Sequence, residues 1–217
     1  MTNQGNYECL DKLTNKDIYN ILIYKKKIIA HTFNAWKKKF CLENAIGLRA
    51  SLNFIFECLE ENKLKMFRWK LFMCILPCKK QLFTWKLEPT PLCTVLVCDM
   101  LEDYDHFFIS CKHVQTFWNK VTTVFIKMKI EINLANIKYA VIGYKTGYPA
   151  YNDLHVLLSY IFFSIYKSYF ISEKRTKIIN IFNVLVQELT MYKCVRKFRR
   201  LRSNTYIGDF LLSCKNP

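Results

Sequence analysis

Four side chains of metal-binding type fall within 19 residues of this chain: Cys93, Cys98, His106 and Cys111. Such a cluster limits the fold more than any other segment, because ligands must converge on one centre at ~2.0–2.3 Å whatever the rest of the chain does. Three thiolates and one imidazole make a closed tetrahedral set suited to structural Zn2+, with no position left open to a substrate. The segment therefore points to a binding module ahead of an enzyme. Spacing alone leaves a second reading open. Ten cysteines in 217 residues make a chance cluster a real competitor, and Cys-x4-Cys is looser than the usual Cys-x2-Cys. His113 is the nearest substitute ligand and reads as a solvent-facing helix residue. His31 and His155 have no ligand-type neighbours in sequence.

The other cysteines do not suggest a disulfide scaffold. The N-terminus has no apolar signal-peptide run, so a reducing intracellular compartment, nucleus or cytoplasm, is expected and the protein is not expected to be secreted. Cys9, Cys41, Cys58, Cys74, Cys194 and Cys214 then read as small hydrophobes or neutral positions. A hydrophobic content of 52% supplies an ample core, and five Gly and five Pro favour helices over a turn-rich β protein. The longest apolar run, 154–166, is too short for a membrane span, which needs ~20 residues. Thirty-three Lys and Arg against seventeen Asp and Glu give a net charge of +16, an excess that attracts polyanions, chiefly nucleic acid or acidic lipid surfaces.

The periodicity predicts a mainly α fold: short helices around a small zinc-knuckle-like loop, followed by a C-terminal helical region. Thr14 and Asp17 have the spacing of a helix-capping box, with Ile18, Ile21 and Leu22 behind it. Phe33, Trp36 and Phe40 share a second helical face, and residues 41–60 lean toward helix. Leu64, Phe67, Leu71 and Ile75 form one apolar face, with Lys63, Lys65, Arg68 and Lys70 on others, up to the stop at Leu76-Pro77. A short helix follows, with Leu82, Phe83 and Trp85 inward and Lys79, Lys80 and Lys86 outward. Pro89 to Pro91 form a rigid loop into Cys93. After Cys111 a helix buries Val114, Phe117, Trp118 and Val121. Two longer helices are expected over 153–171 and 175–192, then a basic tail over 193–202.

Several basic and aromatic residues are candidates for nucleic-acid contact. Lys79, Lys80, Lys86 and Lys112 surround the metal motif and are the expected phosphate contacts. Trp69 and Trp85, set among lysines, could stack on unpaired bases; packing in helix cores is the competing account. Arg196, Lys197, Arg199, Arg200 and Arg202 in the tail read as a phosphate-binding arm or an import signal, with a plain solvated helix end as the alternative.

The chain also carries an ordered set of motifs. Thr14-Asn-Lys-Asp17 is followed by Trp36, then Lys63-Leu-Lys-Met-Phe67-Arg-Trp-Lys70, Ile75-Leu-Pro77, Leu82-Phe-Thr-Trp85-Lys86 and Pro91-Leu-Cys93. His106-Phe-Phe-Ile-Ser-Cys111 and Phe117-Trp118 complete it. In this order the chain resembles the segment downstream of the reverse transcriptase in LINE-type (non-LTR) retrotransposon polyproteins, which contains that family's zinc-binding region. The resemblance covers roughly 13–125 with distinctive motifs and continues to about 192 as a helical tail. It implies a helical connector over 1–60, the zinc-binding region over 61–125 and a C-terminal helical region with a basic tail over 126–217.

By that resemblance Cys93, His106 and Cys111 match the first, third and fourth ligands. The family's second Cys lies three positions after the first, where this chain has Leu96; Cys98 serves instead if the turn bulges. Cys78 stands where the family often has a capping Thr, and a thiol caps poorly. The implied partners are RNA or DNA and the upstream polymerase region, with no membrane and no small-molecule substrate. The chemistry of the parent family is missing. A polymerase needs paired aspartates for two metal ions, and Tyr151-Asn-Asp153-Leu154 is not such a turn. The expected role is non-catalytic holding of template RNA or target DNA; the alternative is a translated remnant of a decayed element with no activity of its own.

Overall fold

The computed structural model describes residues 48–93, 98–131, 149–171, 180–198 and 204–215. They are mainly helical, with no β-strand among the described residues beyond a single bridge between Leu92 and Leu101. The expected helices over 14–22 and 33–40 lie outside the described residues.

Helix α1 (Leu48–Asn53) runs into a wide π-type turn over Phe54–Cys58. Phe54, Ile55 and Leu59 enter the core, whereas Phe56 points to solvent. Helix α2 (Asn62–Phe72) buries Leu64, Phe67 and Leu71, the face that helical spacing marks. Two expectations are corrected here. Arg68 is not on an outer face: it is 1% exposed, lies 5.7 Å from the Phe54 ring centre, and burial pulls its pKa down to about 9. Ile75 is 46% exposed, because α2 ends at Phe72, before the proline stop.

That ending is a backbone device used three times. Cys74 N–H donates to Leu71 O and Ile75 N–H to Lys70 O, with Cys74 at φ 56°. The same paired bonds close α3 (Lys79–Thr84) around Lys86 at φ 60° and α4 (Lys112–Lys127) around Lys129 at φ 57°. Glycine is the usual occupant of this left-handed position. In a chain with five glycines, ordinary residues take it at a cost of roughly 1–2 kcal/mol each.

Helix α5 (Pro149–Ile171) is the centre of the packing. Leu157, Tyr160, Ile161 and Phe162 are fully buried, and so are Ser159 and Ser164, with Ser168 nearly so. Each of these serine hydroxyls donates to the carbonyl four residues earlier, at 2.7–2.8 Å, so the three hydroxyls sit inside with their hydrogen bonds made. Pro opens α5 at the first helical position, where a missing N–H costs nothing. Helix α6 (Ile181–Phe198) is capped by Asn180, whose Oδ1 accepts from Phe182 N–H at 3.1 Å; the expected start at 175 lies outside the described residues. Helix α7 (Thr205–Lys215), which periodicity did not predict, is capped by Asn204, whose Oδ1 accepts from Ile207 N–H at 3.1 Å.

Helix α5 packs against α2, α6, α7 and the two wide turns, and one hydrophobic core runs from Phe54 to Leu211. Charged residues stitch its edge. Glu188 on α6 accepts from Lys63 at 2.7 Å and from Lys167, Tyr160 Oη donates to Glu61 at 2.7 Å, and Arg196 pairs with Glu60. Among the described residues, no helix is long and apolar enough to cross a membrane.

Candidate metal centre

Backbone pairing builds the first half of the site. Cys93 N–H donates to Met100 O at 2.8 Å and Glu102 N–H to Pro91 O at 3.0 Å, around the Leu92–Leu101 bridge. This folds 91–93 against 100–102, and the Cys98 thiol lies within 4.8 Å of the Cys93 thiol. Leu96 lies outside the described residues.

A second wide turn, His106–Ser110, builds the other half. Its closing bond runs from Cys111 N–H to His106 O, five residues back, at 3.0 Å. A π-type turn spans five residues where an α-turn spans four, so His106 and Cys111 come to the same side of the backbone. Asp103 Oδ1 accepts from His106 N–H at 3.0 Å and fixes the start of the turn. Cys111 is also the N-cap residue of α4.

The ligand atoms of Cys93, Cys98, His106 and Cys111 all lie within 4.8 Å of one another. Cys98 Sγ is 3.5 Å from His106 Nε2. In a tetrahedral site with bond lengths of ~2.0–2.3 Å, a sulfur and a nitrogen ligand stand about 3.6 Å apart. The four residues could therefore hold one metal ion with little rearrangement. Cys93, His106 and Cys111 are buried and Cys98 is half-buried. The Cys111 thiol is pulled down to about 5 by its hydrogen bond with Cys93, against the effect of burial, and nearby His106 adds to the fall. A thiol poised toward thiolate is the form a metal takes. His113 is half-buried and is not in the set; His155 is buried in the core against Phe54. No disulfide joins the eight cysteines among the described residues.

Aromatic packing anchors the centre to α5. The Phe107 ring lies 4.8 Å from Tyr169 and the Phe108 ring 5.6 Å from Phe162. Trp118 Nε1 donates to Phe108 O at 2.8 Å, and its ring packs on Phe162 at 5.8 Å. Glu102 ties the loop to its neighbours: its carboxylate accepts from Lys79 N–H at 2.8 Å and from Tyr169 Oη at 3.0 Å. Nothing in the sequence marked Glu102 or Tyr169 for these parts, since each acts across more than twenty residues.

The basic candidates divide. Lys80, Lys86 and Lys112 are exposed, as expected. Lys79 is corrected: it is 4% exposed and its ammonium is held by Glu88 at 2.8 Å, so it is no surface phosphate contact. With Lys79 turned in, α3 turns Phe83 and Trp85 outward, 47% and 44% exposed, contrary to the expected inward face. Trp69 is half-buried, between Phe56 at 5.8 Å and Phe72 at 6.3 Å, which suits packing. Arg196 is committed to Glu60 and Tyr192, whereas Lys197 is exposed. Arg199, Arg200 and Arg202 lie outside the described residues. Compared with protein-family models, curated proteins and solved structures, the chain matches none.

Proposed function

We propose that this chain is a non-catalytic, zinc-stabilised nucleic-acid-binding segment of the kind found downstream of the polymerase in LINE-type retrotransposon proteins. The observation that carries the reading is the convergence of Cys93, Cys98, His106 and Cys111 within 4.8 Å. Three sulfurs and one imidazole favour Zn2+ over harder ions such as Mg2+ or Ca2+. With all four positions filled by protein, the ion serves as a staple that joins the Cys93–Cys98 loop to the N-terminus of α4. The polyanion partner is supported by the +16 charge and by exposed Lys80, Lys86 and Lys112, which flank the ligand segment in sequence. Trp85 and Phe83, exposed between those lysines, offer flat surfaces on which unpaired bases stack. The upstream polymerase region is the expected protein partner.

Metal content by mass spectrometry, on protein purified without added chelator, tests the staple. One zinc per chain is expected, falling well below one in Cys98→Ser; a wild-type protein that holds no metal ends the reading. Fluorescence anisotropy with labelled RNA and DNA tests the rest. Affinity should fall steeply as salt rises, because each phosphate contact releases counterions.

A further inference from the structure

Helix α4 has two unlike faces. Val114, Phe117, Trp118, Val121, Val124 and Phe125 are buried. The opposite face exposes Lys112, Lys120 and Lys127, with Gln115 and Asn119 between them. No Asp or Glu occurs anywhere between Asp105 and Glu131. A solvated helix face ordinarily mixes both signs, since opposite charges four apart stabilise a helix. This face forgoes that gain. Lys112 also opens α4, where a cation opposes the helix dipole. Among the described residues neither Lys112 nor Lys120 makes an ion pair, in contrast to Lys63, Lys79, Lys167 and Arg196.

From Lys112 to Lys127 the axis rises about 22 Å. A nucleic-acid strand places one charge per ~3.4 Å of rise, so this length matches about six phosphate steps. We propose that the solvent face of α4 is a track for a sugar-phosphate backbone, gripped without regard to base sequence. The inference rests on the nucleic-acid reading above and adds a surface to it. The exposed residues of α4 include no aromatic ring, so this face grips by charge and leaves stacking to Phe83 and Trp85. A lipid surface fits less well: apart from Ile126, every large apolar side chain of α4 faces the core or its edge, which leaves little to insert into a bilayer. Cys111, a member of the candidate metal set, occupies the N-cap position of α4, so a bound ion would fix one end of the track.

The test compares Lys112→Gln/Lys120→Gln with Lys65→Gln/Lys70→Gln on α2, the same loss of charge at another place, in the full chain. Anisotropy over a salt series uses a short single strand, a short duplex and a scrambled version of each. The α4 pair should lower the slope of log affinity against log salt by about 1.4–1.8, two contacts at 0.7–0.9 each, alike for both sequences, with zinc content and melting temperature held. The α2 pair should move the slope by much less. Equal losses from both pairs, or no change from the α4 pair, overturn the track. So does binding that the α4 pair weakens only for vesicles of acidic lipid. A wild-type chain that binds no nucleic acid removes the proposed function itself, whereas wild-type binding with an unmoved slope removes the track alone.

Discussion

Glu102 Oε1 accepts a hydrogen bond from the backbone N–H of Lys79 at 2.8 Å, and so caps a helix 23 residues away in sequence. Cys78 occupies the N-cap position of α3 and makes no side-chain cap. A carboxylate from the metal loop does that work, and Tyr169 of α5 holds the same carboxylate. The metal loop, α3 and α5 thus share one buried polar contact.

Glu102→Ala should therefore destabilise the fold by roughly 2–3 kcal/mol, since it leaves buried donors unmet. Glu102→Gln keeps an acceptor for the Lys79 N–H and should cost less, about 1 kcal/mol. Urea unfolding of both variants checks the order; an alanine variant as stable as the glutamine one would deny Glu102 its capping part.

Lys129 holds a left-handed conformation at the end of α4. Lys129→Gly should raise stability by about 1 kcal/mol. Lys129→Ala should give no such gain, because alanine keeps the Cβ that causes the strain. Thermal melts of the two, side by side, separate strain from charge.

His155 gives a pH dependence of definite sign. Burial, and then the charge of Arg68, lower its pKa to about 4 from the ordinary 6.5. The fold holds neutral imidazole, while the unfolded chain takes up a proton as soon as pH drops below the ordinary value. The stability tied to His155 is thus complete above pH ~6.5 and is lost as pH falls toward ~4, by about 2 kcal/mol at pH 5. The measurement is the difference between wild type and His155→Phe at pH 7 and pH 5, in which the contributions of all other groups cancel. A difference that does not change with pH contradicts the assignment.

Phe162 lies against both Phe108 and Trp118, and it is fully buried. Phe162→Ala should cost about 3–5 kcal/mol and should make bound metal easier to strip. Competition with a chromogenic chelator reads the second effect. If the chelator midpoint stays put while stability falls, the metal centre does not depend on α5.

The convergence of the candidate ligands was legible because its signal is local. Cys93, Cys98, His106 and Cys111 stand out by residue type, and their convergence needs only one hairpin-like return and one wide turn. The buried stripe of α4 was legible for the same reason, since Val114, Phe117, Trp118 and Val121 repeat at helical spacing. Lys79, Phe83 and Trp85 were not: α3 is six residues long, too short for periodicity to choose a face, and the distant acids Glu88 and Glu102 chose it. Arg68 escaped because its place is set by Phe54 and α5, not by its neighbours on α2. Helix α7 is only eleven residues long, and it is placed by the burial of Ile207, Phe210 and Leu211 against distant helices, which local spacing does not display.

By itself, then, the sequence determined the helical class, the Cys/His group that could hold a metal ion and the excess of positive charge, all of which depend on residue type and short spacing. Tertiary packing decided which lysines reach solvent, which aromatics do, and how the metal loop is held to α5. Those outcomes rest on contacts between residues tens of positions apart, where burial and ion pairing outweigh local preference.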